Sequence, residues 1–408
     1  MELEVLASLR PELEHFARRF DDCIKTRPSR AHLRTYMAGQ LSDLPRKSVE
    51  PIALQAGVAP RTLQEFLAFH RWDDRAMRDR VQEIVVRDHA HPEAIGVIDE
   101  TGLPKKGDKT PGVQRQHCGA TGKTDNCVVT VHLGYVAGDF HALLDGDLYL
   151  PEHTWHEDRR RCRKAGIPDT VVYRPKWQIG LELVQGAVKR GVFMKWLCVD
   201  ELYGRTFAFR QGVTELGIAY VVEVPSDTRG WLPGRLSERK PRPVSRLWRR
   251  GGPSWETWKI KTTHKGAAVW RVRAVRFCPT EERIAGEEQW LLIARNVLDK
   301  NEVKYFLSDA PADTPLRTLL YVAFSRWHIE QIFRQAKNEA GLDHYEGRSY
   351  IGLMRHLVLT SVSLLYLAEQ RQRLTTEKGG ATSRSSRSAG RWRSSSTRVS
   401  PVPSVAAS

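Results

Sequence analysis

Cysteine is scarce in this chain and never closely paired. Cys23, Cys118, Cys127, Cys162, Cys198 and Cys278 form no CxxC motif, the pattern of reduced thiols in a cytosolic protein rather than of a disulfide framework. Long hydrophobic runs are missing as well. No stretch of eighteen apolar residues occurs, and the opening MELEVLASLRPELEHF is charged and has no apolar signal region; the expectation is a soluble intracellular protein with no membrane partner. Acids are in deficit: 48 Asp and Glu stand against 64 Lys and Arg, for a formal charge of +16 and a pI near 9.7. Seven of those bases and one of those acids lie past residue 372, so the body keeps +10 of its own. A charge of this sign and size favours a polyanionic partner.

With 408 residues and 41 % apolar content the chain is long enough for two or three domains with buried cores. The most informative stretch runs from about Leu316 to Leu342, apolar-periodic and free of Gly and Pro until Gly341, which predicts helix. On it Arg326, Glu330 and Lys337 fall at i, i+4 and i+11, on one stripe beside Phe333. One acid flanked by two bases suits a carboxylate on a divalent cation with cations gripping phosphates. The plain alternative is an i,i+4 ion pair on a solvated face.

Residues 1–90 read as helical. Within them Gly57 separates two short amphipathic segments, the second opening near Pro60, which resembles a helix-turn-helix with Arg61, Thr62 and Gln64 near its N-terminus; an ordinary helical hairpin fits as well. Residues 91–225 change pattern. Ala94–Asp99 is a short strand ending in an acid, followed by loop chemistry with Lys105 and Lys106. Segments 126–135 and 139–150 read as a hairpin, 177–189 as helix, 193–199 as a strand delivering Asp200, 205–216 as helix and 218–224 as strand. The order βββαβαβ with two acids at strand ends implies a mixed sheet with a site along its rim. Residues 226–314 read as an antiparallel β insertion carrying Trp231, Trp248, Trp255, Trp258, Trp270 and Trp290 among Arg and Lys. For any single one of these, the core of a small β domain is the better reading than a stacking platform. Residues 315–372 return to helix, and 373–408 are a low-complexity basic tail that cannot build a core and is expected to be disordered.

Two smaller clusters carry plain readings. His153, His156 and Cys162 have zinc-compatible types but no fourth ligand at finger spacing. Thr121-Gly122-Lys123-Thr124 lacks the GxxxxG frame of a phosphate loop and reads as a turn.

Asp99 after a first strand, Asp200 after a fourth and Glu330 on a late helix behind a β insertion resemble the DDE transposases of bacterial insertion sequences. Arg326, Glu330 and Lys337 match three members of that group's Y-x2-R-x3-E-x6-K signature, whose tyrosine position is Ala323 here, with Tyr321 two residues earlier. The segments at Asp99–Gly107, Cys118–Cys127, Leu148–Pro151 and Val199–Gly204 are also similar to one transposase subfamily. The resemblance spans roughly residues 10 to 370 and implies an RNase H-like mixed sheet flanked by helices, interrupted by the β insertion and preceded by an N-terminal helical DNA-binding domain. It also implies three carboxylates, Asp99, Asp200 and Glu330, that repel one another unless cations lie between them, hence a pair of Mg²⁺ or Mn²⁺ ions. Arg326 and Lys337 would grip phosphates near the scissile bond, with Lys105, Lys106 and Lys123 looser candidates for the same track. The implied partners are double-stranded DNA, as terminal inverted repeats and as target, and a second copy of the chain on paired ends; the implied location is the cytoplasm, with the nucleoid. The competing reading from another class is a sequence-specific DNA-binding protein without catalysis.

Overall fold

The computed structural model describes residues 3–234, 240–247, 254–263, 266–281, 284–299 and 301–382. From residue 3 to 90 it is helical, as expected: α1 (Leu3–Arg18), α2 (Arg27–Gln40), α3 (Val49–Gln55), α4 (Pro60–Ala68) and α5 (Asp74–Asp88). Side-chain caps start two of them, Thr26 accepting from the Ser29 N–H and Asp73 from those of Arg75 and Ala76. Gly57, at φ +68°, makes the turn between α3 and α4 that a side chain would strain.

The sheet begins with β1 (Ile95–Pro104), β2 (Gln114–Cys118), β3 (Lys123–Ala137) and β4 (Phe140–Leu148). A one-turn helix α6 (Arg159–Lys164) and the longer α7 (Lys176–Lys189) follow, then β5 (Trp196–Val199), α8 (Glu201–Gly204), α9 (Phe207–Glu215) and β6 (Ala219–Val224). The spatial order is β4-β3-β1-β5-β6, with β3 antiparallel to both β4 and β1, and with β1, β5 and β6 mutually parallel. That is the RNase H-like mixed sheet. The first three long strands are joined as a meander, while the parallel ones need the crossovers supplied by α7 and by α8 with α9.

Two local expectations are corrected. β1 does not stop at Asp99 but runs five residues further, because β3 pairs with it along its whole length, from Ile95↔Val136 to Pro104↔Cys127. Only its parallel pairing with β5 ends early, at Val97↔Cys198. The short strand β2, unforeseen in the sequence, pairs with the start of β3 through a turn at Gly122, so the Thr121–Thr124 stretch is a hairpin connection.

Past β6 come β7 (Arg229–Trp231), β8 (Arg242–Pro243), the short α10 (Val244–Leu247), β9 (Glu256–Thr263), β10 (Gly266–Glu281), β11 (Ile284–Ala285), β12 (Gln289–Asn296) and β13 (Val303–Ser308). This region is antiparallel, as expected, but it is continuous with the core. β13 pairs with β6 through Leu307↔Val222, and β12, β10 and β9 extend the same sheet. The tryptophans pack. Trp270 is buried with its ring 5.2 Å from that of Phe324, the Trp290 indole donates to the Pro311 carbonyl at 3.0 Å, and Arg273 lies over Trp255. Trp248 lies outside the described residues.

The chain closes with α11 (Leu316–Phe324), α12 (Trp327–Ala340) and α13 (Tyr350–Thr382). The single helix expected over 316–342 is therefore two. The Ser325 hydroxyl turns back to the Tyr321 carbonyl at 2.6 Å and its own carbonyl meets the His328 ring at 2.8 Å, so side-chain bonds take over where the ladder breaks. Gly341, at φ +63°, ends α12 as its position suggested. The expected start of a disordered tail at 373 falls inside α13, and residues 383–408 lie outside the described residues.

α13 is long and apolar enough to cross a membrane by length and composition, yet 83 % of its most apolar window is buried in the protein. The N-terminal helices help to cover it. Arg355 donates to the Leu67 and Trp72 carbonyls at 3.0 and 2.7 Å, Tyr36 meets His356 at 2.9 Å, and Gln40 reaches Thr360 at 3.0 Å. Residues Met1–Glu369 thus form one compact unit, and the 1–90 segment is not separate from the core; Gln370–Ser408 form a second unit.

Candidate active site

Three elements meet at the end of β5. Asp99 lies on β1, and the parallel register that pairs Val97 with Cys198, continued two residues, carries it level with Asp200 at the end of the neighbouring strand. Asp200 is the residue after β5 and the N-cap of α8, its carboxylate accepting from the Leu202 N–H at 3.0 Å. Glu330 stands in the first turn of α12. That helix approaches the sheet closely over Gly134 of β3, where a Cβ would come within 2.8 Å of Ile329 and 2.9 Å of Val97. The missing side chain there fixes how near Glu330 rides to β1.

Arg326, immediately before α12, joins the acids. Its guanidinium donates to Asp99 Oδ2 at 3.1 Å and to Glu330 Oε1 at 2.7 Å. Burial works against its charge, but Asp99, Glu330 and Asp200 together hold it protonated above its ordinary value. The carboxylates shift the other way. Burial, then the charge of Asp200, pushes Asp99 up to about 8, with Arg326 opposing. Burial, then Glu100, pushes Asp200 up to about 6, again with Arg326 opposing. Two buried acids that disfavour each other's charge ask for a cation between them.

Among the described residues no group of three or more His, Cys, Asp or Glu side chains stands ready to hold a metal ion. Arg326 lies among Asp99, Asp200 and Glu330, bonded to the first and last. All three supply carboxylate oxygens, the hard donors that Mg²⁺ and Mn²⁺ take, so the donor set suits a divalent cation that displaces the guanidinium.

The other expected phosphate ligands are spread along β1. Lys337 sits two turns past Glu330 on α12 and donates to the Gly102 carbonyl at 3.4 Å; burial lowers its pKa. Lys105 is committed elsewhere, bonded to the Asp343 and Tyr345 carbonyls at 3.1 and 2.6 Å, with burial pushing it down to about 8. It and the exposed Lys106 line a cleft of about 940 Å³ with Arg46, Lys109 and Arg348. Lys123 is exposed at the start of β3, opposite Cys118 of β2. Ala323, at the signature tyrosine position, is buried in the last turn of α11 with its carbonyl 3.6 Å from Cys198 Sγ. On α4, Arg61 is exposed and paired with Glu65 at 2.8 Å, Gln64 is exposed and Thr62 is half-buried. His153 is exposed and bonded to Glu157, while Cys162 is buried with its thiol on the Trp155 carbonyl, so the zinc-compatible residues diverge.

Residue types alone missed the surroundings of Glu100, which accepts from Lys176 at 2.7 Å and from the Tyr203 hydroxyl at 2.9 Å. Nothing in the spacing of 100, 176 and 203 pairs them. The available signal was that Glu100 and Tyr203 lie in the two segments that carry Asp99 and Asp200.

A family model described as DDE superfamily endonuclease matches residues 19–277, a span that contains Asp99 and Asp200 and ends before Glu330. The probable transposase for insertion sequence element IS701 from Microchaete diplosiphon is 33 % identical over 192 residues, 46 % of this chain and 47 % of that protein. The chain thus spans about half the length of the curated relative it matches. Among solved structures, the NurA nuclease from Sulfolobus solfataricus is 8 % identical over 60 % of this chain and 83 % of its own, with a TM-score of 0.27. The Mos1 strand transfer complex is 16 % identical over 48 % and 57 %, with a TM-score of 0.17. Both are slight likenesses.

Proposed function

The chain belongs to the DDE superfamily endonucleases, and on that premise we propose that it is the transposase of a bacterial insertion sequence, with Asp99, Asp200 and Glu330 as its catalytic carboxylates. The observation that carries the reading is Arg326: one guanidinium bridges Asp99, 227 residues before it, and Glu330, four residues after it, with Asp200 just past the end of the adjoining strand.

Asp99 and Asp200 would hold the shared cation, Mg²⁺ or Mn²⁺, and Glu330 a second. Bound there, the ions would supply activation of the attacking oxygen and stabilisation of the leaving one in an in-line displacement. The side chains do the rest. Arg326 would turn from the carboxylates to donate to the incoming phosphate, and Lys337 would grip the strand further along β1. Lys106 and Lys123 extend that track, while Lys105, tied to backbone carbonyls, shapes the loop beneath it. In the first step water attacks the phosphodiester at the element end, and the P–O bond to the 3′ oxygen breaks to leave a 3′-hydroxyl. In the second step that hydroxyl, giving up its proton, attacks a target phosphodiester; the P–O bond to the target's own 3′ oxygen breaks and that oxygen leaves as a 3′-hydroxyl, so the strands are joined with no protein adduct. Two copies on paired ends, in the cytoplasm with the nucleoid, complete the reading.

Incubating the protein with Mn²⁺ and DNA that carries the element's terminal inverted repeats tests it. The expected result is metal-dependent nicking at the repeat ends followed by joined products. Retarded mobility without cleavage would identify a binding protein, and cutting without joining a nuclease of the same fold; either contradicts the proposal.

A further inference from the structure

Asp200 is held by very little of its own. Its backbone lies between β5, four residues long, and α8, a single turn of four residues that cannot persist by its own hydrogen bonds. Two contacts beyond that turn fix it. Gly204 lies flat on β6, where a Cβ would come within 2.1 Å of the Glu223 carbonyl oxygen. Tyr203 is fully buried beneath α7, where a Cβ on Gly180 would lie 3.1 Å from its ring, and only its hydroxyl reaches a polar partner, Glu100 Oε2 at 2.9 Å.

Glu100 follows Asp99 on β1, and successive strand residues face opposite sides of a sheet. Asp99 therefore meets Arg326 on the α12 side, while Glu100 meets α7 and α8 on the other. Its second oxygen accepts from Lys176 at 2.7 Å, on a side chain that is one-fifth exposed, which pins the carboxylate and balances its charge. One side chain thus ties the strand of the first aspartate to the turn that aims the second.

We propose that Glu100, Tyr203 and Lys176 form a positioning unit that sets the Asp200 carboxylate against Asp99 for binding of the divalent cation. The inference rests on the reading of Asp99 and Asp200 as metal ligands. The three residues touch neither substrate nor metal; they act through the backbone of α8. Because the unit works by geometry, changes that keep its charge but break its contacts should weaken metal binding even where the fold survives.

The test is Mn²⁺ binding to the full-length protein without DNA, followed by the electron paramagnetic resonance signal of free Mn²⁺. Wild type is compared with Tyr203→Phe and Glu100→Asp, which leave the net charge unchanged, and with Asp200→Asn; circular dichroism and thermal unfolding report the fold. Wild type should bind, Asp200→Asn should lose binding, and Tyr203→Phe and Glu100→Asp should bind about tenfold more weakly or worse while still folded, the size expected for residues that orient metal ligands. If Tyr203→Phe fails to fold, Glu100→Asp carries the comparison. Affinities within twofold of wild type in the folded variants overturn the positioning unit and leave the metal site standing. No Mn²⁺ binding by wild type overturns both.

Discussion

Arg326 is bonded to one acid four residues away and to another 227 residues away. It therefore does two opposed things: it neutralises the carboxylates in the absence of metal, and it competes with any cation they would bind. Replacing it with alanine separates the two. Arg326→Ala should bind Mn²⁺ at least as tightly as wild type, since the competing charge is gone. It should cleave DNA about a hundredfold more slowly, the usual loss when a donor to a reacting phosphate or oxyanion is removed. Loss of Mn²⁺ binding together with cleavage, in a folded variant, would mean that Arg326 organises the acids instead of yielding them. At this scale the sequence was informative: the i,i+4 spacing of Arg326 and Glu330 survives as a 2.7 Å contact. The partnership with Asp99 depends on long-range strand order, and no local spacing encodes it.

Among the elements, the places where local reading failed share a cause. β1 outruns Asp99 because its length is set by β3 across the sheet, not by the polar residues that follow the acid. The helix over 316–342 breaks at Ser325 because that side chain finds the Tyr321 carbonyl, while the apolar periodicity on both sides is uninterrupted. Elements whose signals are internal, such as the stop at Gly341, the hairpin turn at Gly138 (φ +61°) and the antiparallel strands of the insertion, were legible. α13 carries a test of its own. His356 is fully buried, with Nε2–H donating to the Leu342 carbonyl at 3.0 Å and Nδ1 accepting from the Tyr36 hydroxyl at 2.9 Å. Burial pushes its pKa down to about 4. A histidine depressed in the folded state is protonated first in the unfolded chain, so its stabilising contribution is complete above about 6.5 and is lost as pH falls towards 4. The stability difference between wild type and His356→Gln should therefore shrink across that window by up to about 1.4 kcal/mol per pH unit. A pH-independent difference would show that the ring is not held neutral.

For the molecule as a whole, the nominal domains of the sequence become one body up to Glu369. Composition and turn signals mark where the chain changes character, but they do not report that β13 zips onto β6, or that α13 is apolar because α2 and α4 wrap it. Arg355 is the test: 95 % buried, it bonds the backbone carbonyls of Leu67 in α4 and of Trp72 after it, and lies over the Trp72 ring at 4.4 Å. Arg355→Ala strips a charged donor from those carbonyls and should cost about 3 kcal/mol. Calorimetry should show the main transition moving down intact. A separate early transition confined to the N-terminal helices would mean that they form an independent domain.

The most direct measurement of the central claim is anomalous diffraction from crystals soaked in Mn²⁺. Manganese should be found bound between the carboxylates of Asp99 and Asp200, with Glu330 released from Arg326. Manganese bound only elsewhere, with the guanidinium still joining Asp99 to Glu330, would contradict it.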